Sequence, residues 1–221
     1  MLSKRLNVVL NLLESDKVLA DIGCDHALLP IEIVRLKKVP KAYAIDNKKE
    51  PLKQAGLNIK KAGLEEKVIT LLADGIKSLP SDVKQISIAG LGGGLIADII
   101  DDKHIEQLDC LVLEGNSDAI KIRKKLEEKN YRIIDEELVE ETGLIYETIK
   151  AVKGQEKLDY RDCYFGPILR KKKGELFFAK WQRYCDYLTT VLARIPLEYA
   201  DKRGKIEEEI ALIKEEIKDG I

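Results

Sequence analysis

The chain has 221 residues, room for one ordinary domain with a smaller appendage and a sizeable core. Its 38 lysines and arginines against 39 aspartates and glutamates leave a net charge of -1, which excludes a global basic field for nucleic acid, so any such binding uses local patches. Cys24, Cys110, Cys163 and Cys185 lack the paired spacing of a zinc or redox centre, and they read as reduced core residues of a cytoplasmic protein with no metal.

At the start, Leu6, Val9, Leu10 and Leu13 fall on one side of an amphipathic helix over residues 1–14, interrupted by Asn7, Asn11 and Glu14. That pattern suits neither a signal peptide nor a membrane span, and no later stretch is long enough to span a membrane. Val18-Leu19-Ala20 then runs apolar up to Asp21, as a buried parallel strand does where its carboxyl end meets solvent. Gly23 permits a sharp turn. The spacing of Leu28, Ile31 and Val34, with Pro30 in the first turn, predicts a helix. Strand, tight loop and helix open a nucleotide-binding α/β domain.

The nucleotide is narrowed by what the loop lacks. A dinucleotide fingerprint needs three glycines, and only Gly23 is present, with Asp25 and His26 where a pyrophosphate would approach. Acids beside a phosphate repel it, whereas S-adenosylmethionine brings a sulfonium and an amino group. A second strand, 42–45, closes on Asp46, 25 residues beyond Asp21, where a Rossmann-like fold binds ribose hydroxyls. A helix over 50–62 stops at Gly63, and a third strand, 68–72, ends at Ala73-Asp74-Gly75, where Asp74 could meet a base edge.

The fourth strand, 86–89, runs into Gly90-Leu91-Gly92-Gly93-Gly94, small residues that let a ligand approach the backbone. A fifth, 110–113, ends at Glu114-Gly115-Asn116, and the helix after it carries Lys121, Arg123, Lys124 and Lys125, read as a solvated face. Residues 131–139 and 144–152 read as a hairpin. Residues 155–173 look polar and loop-like. Beyond them Phe177, Trp181, Tyr184, Leu188, Val191 and Ile195, then Ile206, Ile210, Ile213 and Ile217, keep a heptad rhythm on two helices that could pair as an antiparallel coiled-coil hairpin. Its outgoing arm is basic.

On these motifs the chain resembles the bacterial tRNA (adenine-N1)-methyltransferase family that modifies adenine 22 of tRNA. The resemblance rests on Ser3-Lys4-Arg5-Leu6, Ala20-Asp21-Ile22-Gly23-Cys24-Asp25-His26-Ala27 with Leu29-Pro30, Asp74-Gly75, Ile88-Ala89-Gly90-Leu91-Gly92-Gly93 and Phe165-Gly166-Pro167. Two departures stand out: Glu114-Gly115-Asn116 replaces a frequent Gln-Pro-Asn, and Leu91 replaces a frequent Met.

The resemblance implies a Rossmann-like class I methyltransferase with a seven-stranded sheet over 1–154, and a linker with a C-terminal coiled-coil hairpin over 155–221. It implies a cofactor site for S-adenosylmethionine at Asp21, Gly23, Asp46, Asn47, Asp74, Gly75, Ala89 and Gly90, with Asp25, His26 and Asn116 near the reacting centre. Arg5, Lys171, Lys172 and Lys173 are then expected to meet tRNA. Adenine N1 has its own lone pair, so methyl transfer needs alignment more than a strong base, and a paired adenine must leave its stack first. Two other readings stay open: a nicotinamide-dependent oxidoreductase, disfavoured by the missing glycines, and a non-catalytic interaction protein, disfavoured by the retained acids.

Overall fold

A parallel sheet covered on both faces needs apolar side chains pointing both ways, and the strands supply them in alternation. The computed structural model describes residues 2–218. Strands β1 (Leu19–Ile22), β2 (Ala42–Asp46), β3 (Val68–Leu72), β4 (Gln85–Leu91), β5 (Cys110–Gly115), β6 (Tyr131–Glu141) and β7 (Leu144–Lys153) form one sheet in the order β3-β2-β1-β4-β5-β7-β6. β1 to β5 are mutually parallel, and β7 runs antiparallel between β5 and β6. Around the sheet lie α1 (Lys4–Leu12), α2 (Leu28–Arg35), α3 (Lys49–Ala62), α4 (Gly93–Ile100), α5 (Ala119–Glu128) and α6 (Tyr160–Phe165). This is the seven-stranded Rossmann-like methyltransferase sheet expected from the sequence.

Strand parity decides which residues reach the site. Ala20, Ile22, Ile86, Ile88, Leu111 and Leu113 fill one core, and Leu19, Ala42, Ala44, Cys110 and Val112 fill the other. Asp21, Ser87 and Glu114 share the parity of the second set, which α1 and α2 cover with Val9, Leu13, Leu29 and Ile33. All three are buried. They cluster where the strand order reverses between β1 and β4, the topological switch point at which open α/β sheets hold ligands.

Two stretches differ from expectation. Residues 155–173 carry α6 and a short helix, α7 (Leu169–Lys172), in place of an open loop. The chain divides into two compact units, Met1–Ile168 and Leu169–Ile221, so 155–168 lies with the sheet. Arg123 is the reason. Read as part of a solvated helix face, it is fully buried. Its Nε donates to Glu136 at 2.7 Å, Nη2 donates to Glu147, and Nη1 donates to the carbonyl of Cys163 at 3.2 Å. Glu136 also accepts the amide of Ile168 at 2.8 Å. Gly166 sits at φ +93°, where a Cβ would stand closer than 3.0 Å to both Arg123 and Glu136, which accounts for glycine in Phe165-Gly166-Pro167.

The second unit pairs α8 (Glu175–Arg194) with α9 (Ala200–Ile217). Arg203 donates to the carbonyls of Leu192 and Ile195 at one end, and Arg170 grips Glu216 at 3.1 and 3.2 Å at the other, so the helices run antiparallel. The buried stripe of α8 is Phe177, Trp181, Cys185 and Leu188. Cys185 thus takes the inward place expected for Tyr184, whose ring stacks with that of Tyr187 at 6.1 Å. The stripe steps by four, four and three residues, which departs from the alternating steps of a strict heptad seam.

Removing one partner of a buried ion-pair triad leaves charge without compensation. Arg123→Ala should therefore lower stability by about 3–5 kcal/mol in denaturant unfolding. A loss under about 1 kcal/mol would mean that solvent reaches Glu136 and Glu147.

Candidate active site

Asp21, the last residue but one of β1, is 7% exposed, and its register partner Ser87 donates its hydroxyl to Asp21 Oδ1 at 2.6 Å. Burial pushes the Asp21 pKa up to about 7, with the Ser87 hydrogen bond opposing part of the rise. Beyond it the chain turns sharply. Gly23, at φ +72°, and Cys24 both donate backbone N–H to the carbonyl of Ile45, at 2.8 and 3.0 Å. Asp25 and Ala27 are also left-handed, at φ +47° and +56°, the kind of local strain that clusters at ligand-binding loops. Asp25 and His26 project outward, with 71% and 50% of their side chains exposed and 3.6 Å between His26 Nε2 and Asp25 Oδ2.

Two cavities meet at this loop. One, of about 380 Å³, is lined by Gly23, Asp25, Asp46, Asn47, Asp74, Gly75 and Leu91 among others. The other, of about 300 Å³, is lined by Arg5, Asp21, Gly23, Asp25, His26, Ala89, Gly90, Leu91 and Glu114 among others. Gly23, Asp25 and Leu91 belong to both. The structure therefore brings together every cofactor candidate named from the sequence, distributed over the ends of β1 to β4. Asp46 Oδ1 accepts the amide of Lys48 at 2.9 Å, which holds the carboxylate at the mouth. Asp74 is less free than expected, because Lys77, three residues on in the same turn, pairs with it.

The second cavity has a wall that sequence reasoning missed. Gly90 sits at φ +80° in a bulge between Ala89 and Leu91, where β4 loses register with β5. Its amide donates to Glu114 Oε2 at 2.9 Å, and its carbonyl accepts Asn116 Nδ2 at 2.7 Å. Asn116 Oδ1 in turn accepts Arg5 Nη1 at 3.1 Å, and Arg5 Nε donates to Glu141 at 3.1 Å. Arg5 also lies 4.3 Å above the Tyr146 ring.

Two expectations change accordingly. Arg5, expected to contact tRNA, has its guanidinium committed inside the wall. Asn116, expected near the reacting centre, has its amide engaged at both ends, Nδ2 on the Gly90 carbonyl and Oδ1 on Arg5. Glu114 is 1% exposed, and burial raises its pKa against the opposing pull of Arg5. A charged residue on an otherwise apolar strand was the signal for it, since such a residue is seldom buried without a task. Gly93 closes the turn behind: a Cβ there would come closer than 3.0 Å to the carbonyl oxygens of Ser117 and Asp118.

Lys171, Lys172 and Lys173 belong to the second unit. Lys171 and Lys172 are exposed, while Lys173 Nζ donates to the carbonyl of Glu216 at 3.0 Å, so its charge is partly spent internally. Among the described residues, no group of three His, Cys, Asp or Glu side chains could hold a metal ion, and no helix is long and apolar enough to cross a membrane. Acids on the ends of β1 and β2, with the Asp74 loop beyond β2, suit a cationic ligand, and Asp25 crowds the approach that a pyrophosphate would need.

A family model for tRNA (adenine(22)-N(1))-methyltransferase, TrmK, matches residues 19–215. The tRNA (adenine(22)-N(1))-methyltransferase of Bacillus subtilis (strain 168) is 31% identical over 234 residues, covering 99% of this chain and 98% of that protein. The structure of M. capricolum TrmK in complex with S-adenosyl-homocysteine superposes with a TM-score of 0.90 at 29% identity, covering 99% of this chain and 98% of that one. The crystal structure of the B. subtilis TrmK gives a TM-score of 0.89 at 30% identity, with 98% and 99% covered.

The Asp21 carboxyl provides a test of the site's electrostatics. Its folded pKa of about 7 lies above the ordinary 3.8, so protonation stabilises the fold. That contribution is whole below pH 4 and is lost as pH rises through about 7. Asp21→Asn cannot titrate. Denaturant unfolding at pH 5 and pH 8 should show the wild type losing stability relative to the variant, on the order of a few kcal/mol. An unchanged difference between the two proteins at the two pH values would mean that Asp21 is solvated.

Proposed function

This chain belongs to the tRNA (adenine(22)-N(1))-methyltransferase family, and from that premise we propose that it methylates N1 of adenine 22 in tRNA with S-adenosylmethionine as donor. The single observation that carries the reading beyond likeness is the row of acids at the carboxyl edge of the sheet, which fits a cationic donor. When bound, S-adenosylmethionine supplies a methyl group on a positively charged sulfur. The rival readings, a nicotinamide-dependent oxidoreductase and a non-catalytic interaction protein, have no support. A tRNA substrate implies a cytoplasmic site of action.

The residues divide the work. Asp46 and Asn47, at the mouth of the larger cavity, suit ribose hydroxyls, and Asp74 with Gly75 suits the adenine of the donor. Asp21 supplies buried negative charge beside the shared loop, with Ser87 orienting it. Asp25 and His26 stand at the rim, where electrostatic help to a base losing its lone pair to a methyl group is available. Arg5, through Asn116, fixes the Gly90 carbonyl, so the backbone at the end of β4 is set before substrate arrives. No strong base is required, because N1 carries no proton to remove.

Binding of tRNA falls to local charge, and the basic outgoing helix with Lys171 and Lys172 supplies it in our reading. Lys173 is a weaker candidate because of its bond to Glu216. The expected coiled-coil hairpin survives in this proposal as an antiparallel helix pair that holds substrate.

The direct test is to incubate the protein with tRNA and S-adenosylmethionine and map methylation by reverse-transcription stops, since an N1 methyl blocks pairing. A stop at position 22 is expected, and a methylated product with its stop elsewhere, or no product, contradicts the proposal. Asp46→Ala should weaken S-adenosylmethionine binding by about 1–3 kcal/mol in calorimetry, the usual cost of removing a charged hydrogen-bond acceptor. An unchanged dissociation constant removes Asp46 from the site. Lys171→Ala with Lys172→Ala should weaken tRNA binding and flatten its salt dependence by up to about two phosphate contacts. Cofactor affinity should be untouched, and an unaltered salt slope would clear both lysines of contact.

A further inference from the structure

Hydrogen-bond accounting in the smaller cavity leaves one group over. Asp21 Oδ1 accepts from Ser87, the Gly90 carbonyl accepts from Asn116, and Glu114 Oε2 accepts from the Gly90 amide. Glu114 Oε1 is buried and accepts from nothing. Arg5 Nη1 lies 3.5 Å away without making a hydrogen bond to it, having turned to Asn116 instead. A buried carboxylate oxygen without a donor is costly, and a ligand N–H relieves that cost. Arg5 stands between two carboxylates, Glu114 and Glu141, so this wall keeps a net negative charge.

We propose that Glu114 Oε1 receives the exocyclic amino group of the target adenine and so selects a base that carries an amino group beside the reacting nitrogen. This rests on the reading of the chain as an adenine-N1 methyltransferase. The position fits. The acids assigned to the cofactor stand on β1, β2 and the loop after β3, whereas Glu114 stands on β5, on the far side of β4, in register with Ala89. The chemistry fits as well. N1 must keep its lone pair free for the methyl carbon, so a protein donor at that edge would quench the nucleophile. An acceptor on the neighbouring amino group anchors the same edge while leaving N1 bare. Once N1 is methylated the base is a cation, and the same carboxylate faces it.

The test uses the full-length protein and two tRNAs identical except at position 22, one with adenine and one with purine, which lacks the amino group but keeps N1. Lower basicity of purine N1 slows every enzyme form alike, so the quantity of interest is the adenine-to-purine ratio of kcat/KM. Glu114→Gln keeps the shape and the bond to Gly90 but turns an NH2 toward the base. It should lower that ratio by about 10-fold to 100-fold, as expected for a hydrogen bond to a charged group. S-adenosylmethionine affinity should not change. Glu114→Ala, which also removes the Gly90 contact, should show the same loss of discrimination.

A wild-type ratio retained in Glu114→Gln overturns the assignment. So does a fall in S-adenosylmethionine affinity that accounts for the whole loss of rate, since Glu114 would then serve the cofactor. A wild-type protein that leaves the adenine tRNA unmethylated overturns the proposed function together with this inference. An active wild type with an unmoved ratio overturns this inference alone.

Discussion

Burial of the Asp21 carboxyl at the end of β1 is the constraint on which the rest of the site depends. One hydroxyl, from Ser87 on β4, is its hydrogen-bonding partner, and the residues next to Ser87 on that strand, Ile86 and Ile88, are fully buried apolar side chains. The protein accepts the cost of a desolvated acid where a ligand is to bind. In the proposed function, a cation arriving there meets an acid that water does not screen and takes the place of its proton. On that proposal, a preference for a cation would separate this sheet edge from the phosphate-binding edge of dinucleotide enzymes, which share its topology.

Around that point the structure is a chain of small fixations. α1 is tied down by Glu141, which takes the amide of Lys4 and the Nε of Arg5. Arg5 holds Asn116, Asn116 holds Gly90, and Gly90 is also held by Glu114. The N-terminal helix, the turn after β5, the bulge in β4 and the β6–β7 hairpin are thereby joined at one cavity. On the other side of the sheet unit, Arg123 performs the analogous service with Glu136, Glu147 and the Cys163 carbonyl, and fastens the segment 155–168. Both hubs use arginine, whose planar fork can satisfy several acceptors at once.

Much of this was legible in the sequence. Apolar runs leading to Asp21, Asp46, the Asp74 turn, Gly90 and Glu114 mark β1 to β5, because a strand covered on both faces must be apolar, although β1 and β5 run one residue past Asp21 and Glu114, which are buried and not at the solvent edge. The cofactor candidates followed from those stops, and all of them line the two cavities. The failures have a common cause. Arg123 sits among lysines and reads as a surface residue, yet tertiary partners 13, 24 and 40 residues away bury it. Residues 155–168 read as polar and loop-like, yet Phe165 and Cys163 are buried and Arg123 and Glu136 fasten the segment, a source of order that local periodicity cannot register. Arg5 and Asn116 were recognised as site residues but given outward roles, since spacing does not reveal that each would be the other's partner. Cys185 in place of Tyr184 reflects a one-residue drift of the buried stripe away from the heptad spacing.

In the proposed function, positive charge on the cofactor takes the place of the proton on Asp21. Calorimetric titration of the protein with S-adenosylmethionine at pH 6.5, repeated in buffers of different ionisation enthalpy, counts protons exchanged on binding. With the free carboxyl near pKa 7, most of the Asp21 population is protonated at that pH. The account predicts release of a substantial fraction of one proton per cofactor bound, abolished in Asp21→Asn. Binding without proton release in the wild type, or with equal release in the variant, would contradict it.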